Sequence, residues 1–133
     1  MRLLLDINIF LDIAFARSGQ SASTALILEC GAKHEAWVAW HTLATLAYLI
    51  ERQHDVRTAR DFITGLLEWA QVAETTQEHA RYALALPMRD LEDALQSAAA
   101  HACSAHVIIT RNGRDFRASP TPALSPEQFL AQV

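Results

Sequence analysis

The segment MRLLLDINIFLD (residues 1–12) places a carboxylate between two apolar runs. Residues 2–6 have the length and composition of a short buried strand, and Asp6 ends it. The apolar residues of 7–16 recur on one face of a helix, so a helix is expected directly after the strand. Because an ionised carboxylate is costly to bury without partners, we expect Asp6 at the rim of a sheet, where other groups compensate its charge.

The same order, a short apolar strand followed by an amphipathic helix, recurs along the chain. Further strands are predicted at 35–40, 71–74, 106–110 and 123–124, and further helices at 21–32, 41–53, 55–70, 76–86, 90–103 and from Ser125 onward. Such alternation is typical of α/β proteins whose parallel sheet is covered on both faces. We therefore expect one domain over residues 1–133, with a short central parallel sheet between two helical layers.

Composition excludes several classes of protein. Hydrophobic residues make up 51% of the 133 positions, which allows a core, and the net charge of −4 excludes binding of nucleic acid by bulk positive charge. Cys30 and Cys103 have no CxxC spacing, and no zinc-binding histidine pattern occurs, so both thiols are expected to be buried and free. No run approaches the roughly 18 apolar residues of a membrane span, and the first residues do not resemble a signal peptide. These features predict a cytoplasmic protein with no membrane partner.

Acidic and amide side chains recur where strands end and helices begin. Asp6 ends the first strand, Asp90 and Asp93 lie in the first turn of a helix, and Asn112 and Asp115 follow the fourth strand. If the first and fourth strands are neighbours, these segments open onto one cleft at the carboxyl ends of the strands. Clustered carboxylates raise one another's pKa unless a cation is present, and Mg²⁺ or Mn²⁺ prefers oxygen ligands. The pattern predicts a metal site at which a metal-activated water can attack a phosphodiester.

Each of these residues also has a purely structural interpretation. Asp6 could cap the helix that follows it, and Asp90 could be an N-cap. Asp93 stands three residues further on, in the register of a capping box. Asn112 and Asp115 could stabilise a turn. Only their joint occurrence at matched positions favours a metal site.

Several segments resemble the PIN domain, and in particular the VapC-like toxin ribonucleases of bacterial toxin–antitoxin pairs. They are LLLDINIFLD (3–12), HTLATLAYLIERQ (41–53), DLEDALQSAAA (90–100), IITRNGRDF (108–116) and ALSPEQFL (123–130). The resemblance runs through essentially the whole chain in order, and its most specific part is TRNxxDF after an apolar strand.

This resemblance implies a three-layer α/β/α domain that binds Mg²⁺ or Mn²⁺ and cleaves RNA. Asp6, Asp93 and Asp115 would be the catalytic, metal-coordinating acids. The resemblance also implies a cognate antitoxin, part of which would lie on an apolar groove and place a basic group in the acid site.

Three polar residues would support the acids. The resemblance implies that Asn8 holds Asp6 in position by hydrogen bonding. Thr110 and Asn112 would support the metal or its waters.

The chain departs from the usual PIN pattern at two positions. Thr45 stands where these nucleases usually have a glutamate, and Glu51 lies six residues further on, on another side of the helix. Asn112 stands where many members have an aspartate. Two hypotheses therefore remain: a metal-dependent ribonuclease acting as a toxin, and a non-catalytic PIN-like module whose acidic pocket receives a basic partner segment. A metal-dependent phosphatase is a distant third, because it would want D-x-D at the first strand and this chain has D-x-N.

Basic and apolar residues suggest how partners bind. Arg111, Arg114 and Arg117 recur around Asp115, so they either line the rim of the cleft and contact RNA phosphates or form ion pairs in a solvated loop. Helices 21–32 and 41–50 carry few charges, which predicts a homodimer.

The sequence is compatible with two roles for the aromatic residues. Trp37 and Trp40 flank the second strand, where they could serve packing or base stacking.

Overall fold

Five parallel strands form one sheet in the computed structural model, which describes residues 1–133. They are β1 (Arg2–Leu5), β2 (Glu35–Ala39), β3 (Ala70–Ala73), β4 (Val107–Ile109) and β5 (Ala123–Leu124), in the order β3-β2-β1-β4-β5. Leu4 of β1 pairs with Trp37 on one side and Ile108 on the other. The first and fourth strands are therefore central neighbours, as the predicted cleft requires.

Seven helices connect or follow the strands. They are α1 (Ile7–Ala14), α2 (Gln20–Ala32), α3 (Trp40–Gln53), α4 (Val56–Leu66), α5 (Gln77–Ala85), α6 (Leu91–Ala102) and α7 (Pro126–Leu130), with a 3₁₀ turn at Gly113–Phe116. Every predicted strand and helix is present, but some ends were wrong. Helix α1 stops before residue 16 because Ala16 adopts a left-handed φ of 49°. Helix α4 ends before residue 70 because Ala70 already pairs with Ala36 in the sheet.

The central strand is buried on both faces, which explains its uninterrupted leucines. Leu3 and Leu5 pack into the larger core cluster, formed with side chains of α1, α2, α3, α4 and α7. Leu4 points to the opposite face and packs with Ile108 and with α6. Helix α5 covers α6 in turn. This arrangement is the expected three-layer α/β/α fold.

The two cysteines lie in the two larger core clusters. Cys30 and Cys103 are both buried and free, as predicted. None of the seven helices combines the length and the apolar character that crossing a bilayer requires.

Candidate active site

Asp6 lies where β1 ends and α1 begins. Its backbone N–H donates to the carbonyl of Ile109 (2.9 Å), and its carboxylate caps α1 by accepting from the N–H of Ile7 (2.8 Å). The carboxylate is only 4% exposed, and two side chains donate to it: Gln96 to Oδ1 (2.9 Å) and Thr110 to Oδ2 (2.8 Å). The interpretation of Asp6 as a helix cap is confirmed, and Oδ2, which the cap does not use, accepts only the hydrogen bond from Thr110.

The prediction that Asn8 holds Asp6 was wrong. Asn8 lies in the first turn of α1, and its amide oxygen accepts instead from Arg17 (3.2 Å). Gln96 on α6 and Thr110 after β4 take over this task. Gln96 was missed, although its spacing of three residues from Asp93 places both side chains on the same face of α6.

Thr110 joins two parts of the site. Its hydroxyl donates to Asp6 and accepts from the backbone N–H of Asn112 (3.1 Å). It is fully buried, whereas Asn112 is exposed. Thr110 therefore fixes both the buried acid and the start of the loop that carries Asp115.

The first turn of α6 presents three carboxylates. Asp90 is the N-cap and accepts from the N–H of Asp93 (3.1 Å), as its sequence position predicted. Oxygen atoms of Asp90, Glu92 and Asp93 lie within 4.8 Å of one another. Burial, followed by the charges of Asp90, Glu92 and Asp115, raises the pKa of Asp93 from 3.8 to about 7. In the absence of a cation, Asp93 is thus a mixture of protonated and ionised forms near neutral pH.

Asp115 reaches the same cleft from the other side. It lies on the 3₁₀ turn, which is anchored by the buried ring of Phe116 in the α6-side core. A cleft of about 390 Å³ is lined by Asp90, Asp93 and Asp115 together with Arg89, Arg114 and Arg117. The structure thus brings Asp93, Asp115 and two of the three predicted rim arginines together. Asp6 does not line this cleft, but its hydrogen-bond donor Gln96 lies on α6, the helix that carries Asp93.

Arg111 does not line the acid cleft, and of the two roles predicted for it, the structure shows the ion pairs. Its guanidinium donates to buried Asp12 (3.0 Å) and Ser23 (3.2 Å), to the carbonyl of Gly19 (2.8 Å), and twice to Glu127 (2.6 and 2.8 Å). The hydrogen bond from Arg111 also holds the pKa of Glu127 below its usual range. A side chain at Gly19 would overlap the guanidinium, so glycine is needed there. Arg111 joins α1, α2 and α7 to the end of β4.

Thr45 lies on the exposed side of α3, and its hydroxyl donates to the carbonyl of His41 (3.2 Å). The same helix meets the acid cluster one turn earlier, where His41 Nε2 is 3.2 Å from Glu92 Oε1. Glu92, which the sequence did not single out, thus brings a further carboxylate to the cluster from α6.

The donor set fits a hard divalent cation. The groups facing the cleft offer carboxylate oxygens and no thiol, which are the ligands that Mg²⁺ and Mn²⁺ prefer. The raised pKa of Asp93 means that a positive charge placed beside this side chain would stabilise its ionised form. In addition, Oε1 of Gln96 is buried without a hydrogen-bond partner, next to the amide nitrogen that contacts Asp6. A buried acceptor without a donor calls for an additional group at the site.

An apolar groove lies apart from the acid cleft, between α1, α2 and α4. Its volume is about 400 Å³, and its apolar lining consists of Phe10, Ile13, Ile27, Leu28, Phe62, Leu66 and Trp69. It shares no lining residue with the acid cleft. Leu28 is 70% exposed, so the groove leaves substantial apolar surface open.

Comparisons with known proteins agree with this description. The sequence model of the PIN domain family matches residues 2–114, a range that includes Asp6 and Asp93 and ends one residue before Asp115. No curated protein sequence matches the chain. A similar fold occurs in a chain of VapBC2 from Rickettsia felis, whose crystal structure was solved bound to a DNA fragment from their promoter. The TM-score is 0.74 at 16% sequence identity, and the match covers 94% of this chain and 98% of that chain.

Proposed function

Because this chain belongs to the PIN domain family, we propose that it is a Mg²⁺- or Mn²⁺-dependent endoribonuclease that acts as the toxin of a toxin–antitoxin pair. The observation that carries the proposal is the crowding of Asp93 by Asp90 and Asp115 in one open cleft, with Glu92 beside them on α6. Such crowding is unfavourable for the ionised acids unless a cation binds among them.

Three acids have distinct roles in this proposal. Asp93 and Asp115, which line the cleft, would hold the cation, and Asp6, whose side chain does not line the cleft, would join them as the third metal-coordinating acid. Thr110 and Gln96 keep the Asp6 carboxylate in one orientation. When bound, the cation supplies Lewis-acid activation of a water and stabilises charge that develops on the phosphate.

Three arginines support phosphate binding. Arg89, Arg114 and Arg117 line the acid cleft, and none of their side chains forms an ion pair or a hydrogen bond within the protein. Free guanidinium groups bind phosphate oxygens in pairs. They would draw the RNA backbone toward the acids despite the net charge of −4.

The proposed partners use other surfaces. The apolar groove between α1, α2 and α4 is the surface that fits an apolar segment of an antitoxin. A homodimer remains a prediction, supported by apolar side chains that stay exposed, among them Leu28 (70%) and Tyr48 (56%).

The second candidate function is a non-catalytic module. It is favoured by Thr45, which supplies no carboxylate from α3 and uses its hydroxyl within its own helix. In that case the acid cleft would receive a basic partner segment instead of a metal ion and RNA.

Cleavage of RNA by the purified protein with Mg²⁺ or Mn²⁺ separates the two. We expect cleavage by the wild type and its loss in Asp93→Asn and Asp6→Asn, with Asp61→Asn on the exposed surface of α4 as the matched control. Cleavage that survives both substitutions would contradict the catalytic assignment. Absence of cleavage by the wild type, together with binding of a basic peptide that Asp93→Asn abolishes, would support the module.

A further inference from the structure

An exposed tryptophan lies at the same edge of the sheet as the acid cleft. Trp40 follows β2 directly, is the first residue of α3 and is 69% exposed. The other two tryptophans have partners: the Trp37 ring lies under the guanidinium of Arg2 (5.6 Å), and Trp69 packs against Phe10 (6.2 Å between ring centroids). Trp40 is thus the tryptophan whose ring face stays open to solvent.

The surroundings of Trp40 combine a flat ring with polar groups. It borders a pocket of about 80 Å³ whose lining is mostly apolar but also includes His41, Thr75 and His79. The Thr75 hydroxyl makes no hydrogen bond within the protein, so it can bond to a ligand. An aromatic face beside a free hydroxyl matches a nucleobase, which has a stacking face and a hydrogen-bonding edge. A purely apolar partner would leave the Thr75 hydroxyl unpaired.

Trp40 is also close to the reacting centre. Its neighbour His41 contacts Glu92, which lies within the cluster of Asp90 and Asp93. In the sheet, β2 and β4 flank β1 on opposite sides, so Trp40 after β2 and Arg114 after β4 lie on either side of the acid site. The ends of β2 and β4 are two strand spacings, or about 10 Å, apart, and a few nucleotides of a single strand span such a distance.

We propose that Trp40 stacks on a base of single-stranded RNA whose phosphate enters the acid cleft. The identity of this ligand rests on the function proposed above. Bases of a duplex are already stacked inside it, so the contact selects unpaired segments such as loops and ends. Stacking on an indole tolerates every base. Trp40 therefore favours single strands over duplexes and has little preference for sequence.

The test measures RNA binding in a protein that does not cut its ligand. In an Asp93→Asn background, Trp40→Leu is expected to weaken binding of a single-stranded oligoribonucleotide about tenfold or more, because an aromatic–base stack is lost. Trp40→Phe retains an aromatic ring and is expected to stay within about threefold of the parent protein. Tyr48→Leu is the matched control, because Tyr48 is an exposed aromatic residue two turns further along the same helix.

A ribose–phosphate strand without bases completes the experiment. The parent protein and Trp40→Leu are expected to bind it equally, because it offers phosphates and no ring. Equal binding of the base-containing strand by the parent and Trp40→Leu overturns the inference. A substitution that dissociates a dimer in sedimentation and leaves RNA affinity unchanged also overturns it, and identifies Trp40 as a subunit contact.

The experiment separates this inference from the proposed function. If the wild type cleaves RNA and Trp40→Leu has an unchanged KM, the inference fails and the nuclease assignment stands. If the wild type does not cleave RNA but Trp40→Leu selectively weakens binding of single strands, the nuclease assignment fails and the inference stands.

Discussion

Asp93 is the side chain through which pH is expected to act on this protein. Its pKa is raised from 3.8 to about 7, first by burial and then by neighbouring carboxylates. At pH values between 3.8 and about 7, the Asp93 carboxyl is ionised in the unfolded chain and protonated in the folded protein. The free energy of unfolding therefore decreases as pH rises through this window, and above about pH 7 the loss is complete.

Asp93→Asn removes this pH dependence. In EDTA, we expect the wild type and the variant to have similar Tm values near pH 4, and the variant to be the more stable at pH 8. Thermal unfolding across this range provides the measurement, with Asp61→Asn as the exposed control. A difference in Tm that does not change with pH would show that Asp93 is not the titrating group.

Arg111 directly follows the site residue Thr110, but its ion pairs stabilise the fold. Arg111→Met would leave Asp12, which is 4% exposed, buried without its cation, and we expect a loss of about 3–5 kcal/mol in the free energy of unfolding. Urea denaturation measures it. The control is Arg17→Met, an exposed arginine in the loop between α1 and α2, for which a change within about 0.5 kcal/mol is expected. If the ion pair is the cause, adding Asp12→Asn to Arg111→Met recovers part of the loss.

Some residues of the site could be predicted from the sequence, and others could not. Asp6 and Asp90 could be identified because strand ends and helix starts leave strong local patterns. Gln96 could not, since a glutamine on an amphipathic helix normally indicates its solvent side. Arg111 and Arg114 look equivalent in sequence, but Arg111 forms ion pairs with Asp12 and Glu127, whereas Arg114 lies in the 3₁₀ turn and lines the acid cleft. Short turns of this kind depend on tertiary contacts, here the burial of Phe116.

At the scale of elements, the residues at the start of α6 both stabilise the helix and determine the electrostatics of the acid cluster. The N-cap carboxylate of Asp90 satisfies a backbone donor of the helix and at the same time raises the pKa of Asp93. The strand–helix alternation was predictable because hydrophobic periodicity is local. The ends of α1 and α4 were not, since they depend on the left-handed Ala16 and on pairing of Ala70 in the sheet.

Substitutions at Asp90 separate its two effects. Asp90→Ala loses the cap and is expected to destabilise the protein by about 1 kcal/mol. Asp90→Ser keeps a capping oxygen and removes the charge, so stability is retained while the pKa of Asp93 decreases. Urea denaturation reports the first effect and NMR titration of the Asp93 carboxyl reports the second. A pKa of Asp93 that is the same in the wild type and Asp90→Ser would exclude Asp90 as a cause.

The central strand carries the core. Leu4 is fully buried, so Leu4→Ala is expected to destabilise the protein by about 2–5 kcal/mol through lost burial and a residual cavity. Leu84 on α5 is 68% exposed, and Leu84→Ala is expected to change stability by less than about 0.5 kcal/mol. Chemical denaturation compares the two. Equal effects would contradict the assignment of β1 to the centre of the sheet.

At the scale of the whole molecule, an acidic protein concentrates free arginines at one cleft. Arg89, Arg114 and Arg117 line it, so binding of single-stranded RNA is expected to weaken with salt, with a slope of about −0.7 per phosphate contact in a plot of log affinity against log salt. Arg114→Gln is expected to reduce the steepness by about 0.7. Fluorescence anisotropy over a range of salt concentrations measures the slope. Arg57→Gln, on the exposed surface of α4, is the control and should leave the slope unchanged.

The position of β1 in the sheet also has a consequence for synthesis. β1 precedes the other four strands in the chain, yet it pairs with β4, and Asp6 acquires its two side-chain donors only from Gln96 and Thr110. At ribosomal speeds of about 5–20 residues per second, roughly 5–20 s pass between translation of Leu5 and of Ile109. During this time the nascent polypeptide has the first acid but not the groups that orient it. The Asp6 carboxylate can therefore adopt its final hydrogen bonds only after the segment that contains Thr110 has been translated.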